Sequence, residues 1–409
     1  MENYRYVIIG GGIAGVTAAE TIREHDADGR IALVSGEPHL LYSRVMLPAY
    51  LKKKISRDRL FLRTRDEFVK KNIDVFLGVR AERLDIKSRE VALENGEGIG
   101  FEKLLIAAGG APRTWGSPEL QKWIYRLQTI DDADRLDEAL PRIKKPLVIG
   151  ASFIALEFLE IFAVRGAAPA LFVRGKNIFG DMLDREGSAL LEDNFLNHSI
   201  AIYYDDRMER ITEYERKLAV LTAEPRVIEC DALALGIGIS RSLGWMRDSG
   251  IEIGKEGIRV NEFLETAVEG IFAAGDIAEY YDSVSGRERA GGSWTHAFLQ
   301  GQHAGGSMAG IRMPFRRVSS YSITSFGFQI TMLGDCRGRS DAIVRSDSSR
   351  RMYARLCLDK GALVGAALIN RFEDKAHLAA LMETKTPLEK YRDKLIDPSF
   401  DIRSIAIVG

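Results

Sequence analysis

The sequence is poor in cysteine and contains no pair of cysteines that could act together locally. Its 409 residues include only Cys230, Cys336 and Cys357, and none of them belongs to a C-x-x-C motif. This spacing excludes a redox-active disulfide of the C-x-x-C type and a cluster ligated by neighbouring cysteines. We interpret all three as small apolar core residues.

The chain also lacks a strong net charge and a long apolar run. A formal net charge of -1 provides no overall field that would attract nucleic acid or a membrane surface. No apolar stretch approaches the roughly 20 residues that span a bilayer, and Glu2 stands where a leader peptide would be basic. We expect a cytoplasmic protein without nucleic-acid or membrane partners, and the length predicts two or three domains.

What the sequence does contain is a glycine-rich turn between an apolar strand and a helix. Residues 6–9 are continuously apolar, and residues 14–22 carry small apolar side chains at helical spacing. Gly10 and Gly12 allow a tight turn close to a pyrophosphate, and Gly15 lets the helix pack on the strand. Glu37, beyond the next strand, can accept hydrogen bonds from ribose hydroxyls. The alternative is a glycine-rich turn that binds nothing.

A second acidic strand end lies far downstream, where the run F-A-A-G-D closes at Asp276. An aspartate at the carboxyl edge of a parallel sheet can reach a ribityl hydroxyl or a bound water in the ligand crevice. Its alternative role is a helix N-cap, and both roles can hold at once. Together with the glycine-rich turn, Asp276 indicates that one Rossmann layer holds FAD. Because no cysteine pair is available, electrons from this flavin would leave for an external acceptor.

The dinucleotide fold occurs twice. A second strand, glycine turn and helix opens at residues 146–166, and its next strand ends at Val173. After residue 309 the composition changes to short apolar strands followed by a helical stretch near residues 374–382. The predicted fold class is therefore α/β, with two Rossmann-like domains for FAD and NAD(P) and a small C-terminal α+β domain. We place the FAD domain at residues 1–112 and 235–313, the NAD(P) domain at 113–234 and the C-terminal interface domain at 314–409.

These motifs, in this order, resemble the FAD-dependent pyridine nucleotide-disulfide oxidoreductase family over residues 1–310. Within the family, the segments 37–51 and 292–310 and the tail K-G-A-L-V-G-A-A-L-I are similar to the flavoprotein part of the NAD(P)H nitrite reductase large subunit and to NADH:rubredoxin or ferredoxin reductases. The resemblance implies FAD on the first domain, a nicotinamide on the second, and a third domain that covers the flavin or forms a dimer interface. A homodimer is one expectation from it.

The resemblance also implies a set of cofactor-binding residues. For FAD they are Gly10, Gly12, Ile13, Ala14, Gly15, Ser35, Glu37, Arg44, Arg80, Ala81, Ala107, Ala108, Gly109, Gly275, Asp276, Trp294 and Thr295. For the nicotinamide nucleotide they are Gly150, Ser152, Phe153, Ile154 and Arg174. His296 follows Trp294 and Thr295 and is either a proton donor or a structural histidine.

Two residues are carried over as catalytic. Arg44 matches a loop beside the isoalloxazine ring, where a cation stabilises reduced flavin; the alternative is a surface cation. Glu157 matches a glutamate on the nicotinamide-domain helix, with Glu160 as the competing candidate. A carboxylate on a mostly apolar helix needs a partner, so we expect an ion pair between Arg44 and Glu157. The loop carries no cysteine, which disfavours NADH oxidases and CoA-disulfide reductases that place a reactive cysteine there.

The second fingerprint departs from the family pattern. Ser152 and Ala155 stand where glycines are usual, and the next strand is followed by Arg174 and Lys176 instead of an acid. A cation there suits the 2′-phosphate of NADPH, so NADPH is preferred to NADH, and a nonfunctional nicotinamide site is the third option. We interpret the cations at 52–54 and 316–317 as solvated faces, or as a docking surface for an acidic electron carrier.

The sequence therefore predicts an NAD(P)H:acceptor oxidoreductase. Electrons would pass from NAD(P)H through FAD to an external acceptor, an iron-sulfur or rubredoxin-like protein or a partner subunit. The chain lacks the cysteine-bearing domains of complete nitrite reductases, so it would not reduce nitrite alone. One alternative is an FAD-holding relay subunit of a larger complex with a decayed nicotinamide site. Another is an NAD(P)H oxidase that uses oxygen.

Overall fold

The fold was analysed in a computed structural model of the protein. The structure describes residues 2–215, 217–224 and 226–408. The chain divides into two compact units. The first unit comprises Met1–Val45, Arg57–Ala111 and Ser240–Ser319, and the second comprises Met46–Ser56, Pro112–Ile239 and Ser320–Gly409. The boundaries inferred from the sequence for three separate domains stay a prediction.

The α-helices are α1 Ile13–His25, α2 Leu47–Leu51, α3 Arg65–Lys70, α4 Ile130–Ala139, α5 Phe153–Val164, α6 Arg185–Asn197, α7 Trp294–Met308, α8 Lys375–Glu383 and α9 Arg392–Ile396. Short 3-10 helices lie at Arg44–Met46, Arg57–Leu60, Pro118–Trp123, Gly180–Met182, Gly244–Met246, Gly275–Ile277, Ser348–Arg350, Phe372–Asp374, Glu389–Tyr391 and Ile402–Ser404.

The strands are β1 Glu2–Ile9, β2 Ile31–Ser35, β3 Ile73–Leu77, β4 Ala81–Asp85, β5 Glu90–Leu93, β6 Gly98–Ile106, β7 Ala111–Pro112, β8 Ile124–Tyr125, β9 Pro146–Gly150, β10 Ala170–Val173, β11 Ala201–Tyr204, β12 Met208–Tyr214, β13 Lys217–Thr222, β14 Val227–Cys230, β15 Ala232–Gly236, β16 Ile239–Ser240, β17 Ile258–Val260, β18 Ile271–Ala273, β19 Ala278–Asp282, β20 Arg287–Ala290, β21 Ser320–Ser325, β22 Phe328–Gly334, β23 Ala342–Asp347, β24 Met352–Asp359 and β25 Ala362–Ile369.

The first unit is built on a sheet in the order β3-β2-β1-β6-β5-β4, with β18 beside β6. Strands β3, β2, β1, β6 and β18 are neighbours in this order and run parallel. Strands β2 and β18 are buried along their whole length, as inner strands of a parallel sheet require. Helices α1 and α7 pack together closely because Gly301 and Gly305 face the α1 backbone, where any Cβ would collide with the carbonyl oxygens of Ala14 and Ala18. The carboxyl ends of β1 and β18 and the amino ends of both helices therefore meet.

The second unit repeats this arrangement in the parallel order β11-β10-β9-β15-β8. Helix α5 connects β9 to β10, and an antiparallel meander of β12, β13 and β14 covers the sheet through Leu218 and Val220. The same unit contains an antiparallel sheet in the order β21-β22-β25-β24-β23, on which α8 buries Leu378 and Leu381. The predicted fold class, with two Rossmann-like folds and a C-terminal α+β part, is confirmed.

The interpretation of all three cysteines as unpaired core residues is wrong for two of them. Cys336 and Cys357 are buried and joined by a disulfide, with 5.4 Å between their Cα atoms. Cys357 lies beside Gly365 in the sheet, and the chain at residue 336 crosses over Gly365, where a Cβ would collide with the backbone. A glycine between the two cysteines thus lets residues distant in sequence meet. Cys230 is free and buried, as expected.

Within the described ranges, none of the helices combines the length and the apolar character needed to cross a lipid bilayer.

Candidate functional site

The first candidate site, within the first unit, begins at the turn from β1 into α1. Gly10 has φ +129°, and a Cβ at this position would collide with the carbonyl of Ala107. Gly15 packs against the Gly10 carbonyl with equally little room, so the helix begins directly at the strand end. Gly12, the N-cap of α1, has open space around its Cα and offers no capping side chain. The first backbone N–H groups of α1 are therefore available to an anion such as pyrophosphate.

Glu37 lies at the carboxyl edge of this sheet, within a small polar cluster. The Tyr42 hydroxyl donates to its Oε2 at 2.5 Å, and Arg44 donates to its Oε1 at 2.5 Å. The Arg44 guanidinium also lies over the Tyr42 ring, 5.4 Å from the centroid. Because a carboxylate can accept about four hydrogen bonds, Glu37 is oriented by these two neighbours and still has acceptor capacity for ribose hydroxyls.

Asp276 follows β18 in a turn that faces the start of α1. Gly275 has φ +79°, and its Cα lies so close to α1 that a Cβ would be 3.1 Å from that of Ala14. The Arg241 guanidinium donates to the Asp276 carbonyl. Burial raises the pKa of the Asp276 carboxyl, and the positive charges of Arg241 and Arg44 oppose that rise. The structure thus brings Arg44, Asp276 and the α1 amino end into one region of the first unit.

The other residues expected to bind FAD all belong to the first unit. Ser35 ends β2 and accepts from the backbone N–H of Glu37 at 3.3 Å. Ala107 follows β6 and donates its backbone N–H to the Ile9 carbonyl. The remaining members are placed as follows: Ile13 and Ala14 in the first turn of α1, Arg80 packed over Gly36, Ala81 at the start of β4, Ala108 exposed, Gly109 at φ +61°, and Trp294 and Thr295 in the first turn of α7.

This set of groups fits FAD. The α1 amino end supplies backbone donors for a pyrophosphate, and the partly buried carboxyl groups of Glu37 and Asp276 supply acceptors for ribose and ribityl hydroxyls. The open space around Gly12 and Gly109 leaves room for a ligand against the backbone.

A second candidate site, within the second unit, is the turn from β9 into α5, where the sequence departs from the usual glycines. Gly150 has φ +125° and no room for a Cβ against the Gly236 carbonyl. The Ser152 hydroxyl donates to this same carbonyl at 2.9 Å, and does not cap α5. Ala155 of α5 fits because Gly236, the last residue of strand β15 beneath it, lacks a side chain. Both substitutions are accommodated, and the tight turn is kept.

The strand end that faces a nucleotide ribose in this fold is basic here. Arg174 and Lys176 are exposed after β10. The loop is fixed by the Asp205 backbone N–H, which donates to the carbonyls of Val173 at 3.1 Å and Gly175 at 3.2 Å. Two cations are thus held at the carboxyl edge of the second sheet.

Phe153 lies within an aromatic cluster at the start of α5. Its ring stacks on that of Tyr321, with 4.2 Å between centroids and 22° between planes, and lies 4.7 Å from the ring of Phe179. Ile154 is half-buried beside it. No sequence motif indicates Tyr321, which comes from strand β21 of the C-terminal sheet.

Glu157 lies on α5, one turn before Glu160. Removal of water from around its carboxyl raises the pKa of Glu157 to about 7; the nearby Lys52 ammonium opposes the rise and the Glu160 carboxylate adds to it. Lys52 pairs with Glu160 at 2.7 Å, and the two side chains are only 9% and 13% exposed. The interpretation of Lys52 as a solvated cation is therefore wrong. Arg44 and Glu157 belong to different units, and the ion pair expected between them stays a prediction.

Most of the chain matches known protein families. Residues 4–301 match the model described as pyridine nucleotide-disulphide oxidoreductase. Residues 325–406 match the model described as reductase C-terminal. The first match covers both Rossmann-like folds, and the second covers strands β22 to β25 of the C-terminal sheet.

Similar proteins share the full length of the chain. The 5,5'-dehydrodivanillate O-demethylase ferredoxin reductase subunit of Sphingobium sp. is 26% identical over 410 aligned residues, 99% of each protein. The NADH-rubredoxin oxidoreductase of Clostridium acetobutylicum is 28% identical over 90% of this chain and 92% of its own. The crystal structure of the covalent putidaredoxin reductase-putidaredoxin complex has a TM-score of 0.91 at 23% identity. The alignment covers 97% of this chain and 96% of the chain in that structure. This last likeness concerns the fold.

Proposed function

Because the chain belongs to the pyridine nucleotide-disulphide oxidoreductase family, we propose that it is an FAD-dependent reductase. It takes electrons from NAD(P)H and passes them to a small iron-sulfur or rubredoxin-like protein. The observation that carries this proposal is that the glycine-rich turn and Asp276 lie together at the start of α1. These two segments are more than two hundred residues apart in the chain. Both catalytic assignments, Arg44 and Glu157, belong to this proposal.

When bound, FAD would supply the capacity to accept a hydride and to release electrons one at a time. Groups of the first unit would hold it: backbone donors of α1 would bind the pyrophosphate, and Glu37 and Asp276 would accept from hydroxyl groups. Arg44 places a positive charge in the same region, where it acts on the Asp276 carboxyl. Such a charge stabilises negative charge that develops on reduction.

Glu157 is proposed to hold a proton in the second unit. With a pKa of about 7, its carboxyl is divided between the protonated and ionised forms at neutral pH. Lys52, bound to Glu160, supplies the positive charge that limits this rise. A group that gains and loses a proton near neutral pH suits an enzyme whose turnover exchanges hydride and protons.

We assign NADPH as the preferred electron donor. Arg174 and Lys176 lie at the strand end where a 2′-phosphate would be bound, and the Asp205 backbone fixes their loop. A guanidinium binds phosphate through two parallel hydrogen bonds. The accommodation of Ser152 and Ala155 supports a working nicotinamide site over a decayed one.

The acceptor is proposed from the relatives, whose names specify ferredoxin and rubredoxin reductases. A cytoplasmic location and a homodimer remain part of the proposal from sequence.

Anaerobic assays with a rubredoxin and with a [2Fe-2S] ferredoxin test the proposed function. We expect NADPH to reduce at least one of them in the presence of catalytic amounts of the FAD-loaded protein, and we expect air to reoxidise the reduced enzyme more slowly than that carrier does. Faster reoxidation by oxygen would favour the oxidase. Absence of electron transfer to either carrier, with rapid flavin reduction, would exclude these two classes of acceptor.

A further inference from the structure

Gln300 connects α7 to the turn that carries Asp276. Its side chain is fully buried, and its Oε1 accepts a hydrogen bond from the backbone N–H of Gly275 at 2.7 Å. Strand β18 ends before this residue, and Gly275 has φ +79°. The Gly275 N–H is thus bound by a side chain instead of a neighbouring strand, next to the residue expected to bind FAD.

His296, one turn earlier on α7, fixes which way the Gln300 carboxamide faces. The amide nitrogen of Gln300 lies 3.3 Å from Nε2 of His296. Because the amide oxygen faces the Gly275 N–H, the NH2 group must donate to the imidazole, which therefore accepts at Nε2 and carries its hydrogen on Nδ1. His296 is 1% exposed, and burial lowers its pKa to about 4, so the ring is neutral as this bond requires.

The backbone beneath Gln300 packs directly against α1. The next residue, Gly301, has its Cα against the Ala14 carbonyl, where no Cβ would fit. On the other side of the turn, Arg241 donates to the carbonyl of Asp276. The Ala274–Gly275 and Asp276–Ile277 peptide groups, on either side of the turn, are therefore each held by a side chain from outside it.

We infer that Gln300 is a positioning residue for the cofactor, acting through Gly275 and Asp276 and not by contact. Its carboxamide sets the orientation of the Gly275–Asp276 turn, so that the Asp276 carboxyl meets a hydroxyl of the FAD ribityl chain. This inference rests on the proposed function. Without the Gln300 oxygen, the Gly275 N–H is a buried donor lacking an acceptor, and the turn reorients to satisfy it.

The test compares Gln300→Met with wild type in reconstitution of the apoprotein with FAD. Methionine keeps the unbranched shape and removes both hydrogen bonds. We expect the Kd for FAD, measured by quenching of flavin fluorescence, to rise on the order of 10-fold to 100-fold, from loss of one buried bond. We also expect the visible circular dichroism of the bound flavin to change, because the protein environment around the flavin is altered. Gln302→Met, an exposed position on the same helix, should change neither.

Gln300→Glu separates the hydrogen bonds from packing. As a neutral acid, glutamate keeps an oxygen for the Gly275 N–H and a hydroxyl for Nε2 of His296, so we expect FAD affinity within about threefold of wild type. Equal Kd values and equal flavin spectra for wild type and Gln300→Met would overturn the inference, as would a Gln300→Glu protein that binds as weakly as Gln300→Met. Where Gln300→Met does not fold, the Kd of Gln300→Glu decides alone. A Kd for FAD within about threefold of wild type supports the inference, and a Kd raised about 10-fold or more overturns it.

A wild-type protein that takes up no FAD would contradict the proposed function and this inference with it. Normal FAD uptake by wild type with no difference between the variants would overturn the positioning role only.

Discussion

Lys52 and Glu160 form an ion pair at 2.7 Å in which both side chains are nearly removed from water. Lys52 follows α2, a short helix that belongs to the same compact unit as α5. The segment is held there by further contacts: the Tyr50 hydroxyl donates to Asp134 at 2.9 Å, and Arg165 donates to the Leu51 carbonyl at 2.7 Å. The charge of Lys52 is thereby fixed near Glu157, where it opposes the rise that burial causes in the pKa of Glu157.

Breaking this ion pair on one side should destabilise the second unit. Lys52→Met leaves Glu160 with little solvent and no counter-charge, so we expect a loss of about 3 kcal/mol in the free energy of unfolding, read from the urea midpoint. The double variant with Glu160→Met should recover most of this loss. Lys53→Met is the matched control, because Lys53 is 53% exposed in its pair with Asp137 and should cost less than about 1 kcal/mol. Equal losses in the free energy of unfolding for Lys52→Met and Lys53→Met would contradict the special importance of the buried Lys52–Glu160 pair.

Glu157 should make stability fall as pH rises. Its folded pKa of about 7 lies above the ordinary value of 4.5, so between these values the folded state binds more protons than the unfolded state and the free energy of unfolding decreases with pH. The full loss, reached above pH 7, is at most about 3 kcal/mol.

Urea unfolding of Glu157→Gln at several pH values checks this expectation. The amide cannot ionise, so the variant should gain stability relative to wild type from about pH 5 to about pH 8. Glu138→Gln, at an exposed position of the same unit, should show no such trend. A Glu157→Gln protein that parallels wild type across this range would show that the carboxyl titrates normally.

Arg174 should determine the choice of nucleotide. Arg174→Gln removes a cation from the expected 2′-phosphate position, so kcat/KM for NADPH should fall on the order of 10-fold to 100-fold while that for NADH changes little. Arg142→Gln is the control: this exposed arginine precedes β9, at the opposite edge of the same parallel sheet from Arg174. A parallel fall with NADPH and NADH after Arg174→Gln would argue against recognition of the 2′-phosphate.

Gly10→Ala should destabilise the first unit more than a Gly→Ala substitution at another position with positive φ. The new Cβ collides with the Ala107 carbonyl as well as meeting a φ of +129°, so we expect at least about 3 kcal/mol of destabilisation and weak FAD retention. Gly96 also has a positive φ, +86°, but open space around it, so Gly96→Ala should cost about 1 kcal/mol. Thermal unfolding and flavin content of the two purified variants give the comparison; similar values would mean that the close approach to Ala107 is unimportant.

The sequence predicts the parts of this site that depend on local patterns. The strand before Gly10, the helix after Gly15 and the apolar strand before Asp276 each have a short-range signature, and the structure places all three as expected. The repeat at Gly150 follows the same logic, although nothing local indicates that Gly236 would make room for Ala155.

Residues whose roles depend on distant neighbours were not predictable in this way. Lys52 lies in a run of three lysines that reads as a solvated face, and only packing against α5 makes it a buried partner of Glu160. Cys336 and Cys357 pair because β25 places Gly365 between them. Gln300 has no motif of its own, and its contact with Gly275 spans 25 residues.

Anaerobic titration of the FAD-loaded protein with NADPH and with NADH shows whether the chain is a reductase that uses a nicotinamide nucleotide. We expect a stoichiometric amount of nucleotide to bleach the visible absorbance of the flavin, NADPH more readily than NADH. Flavin absorbance that neither nucleotide changes would contradict it.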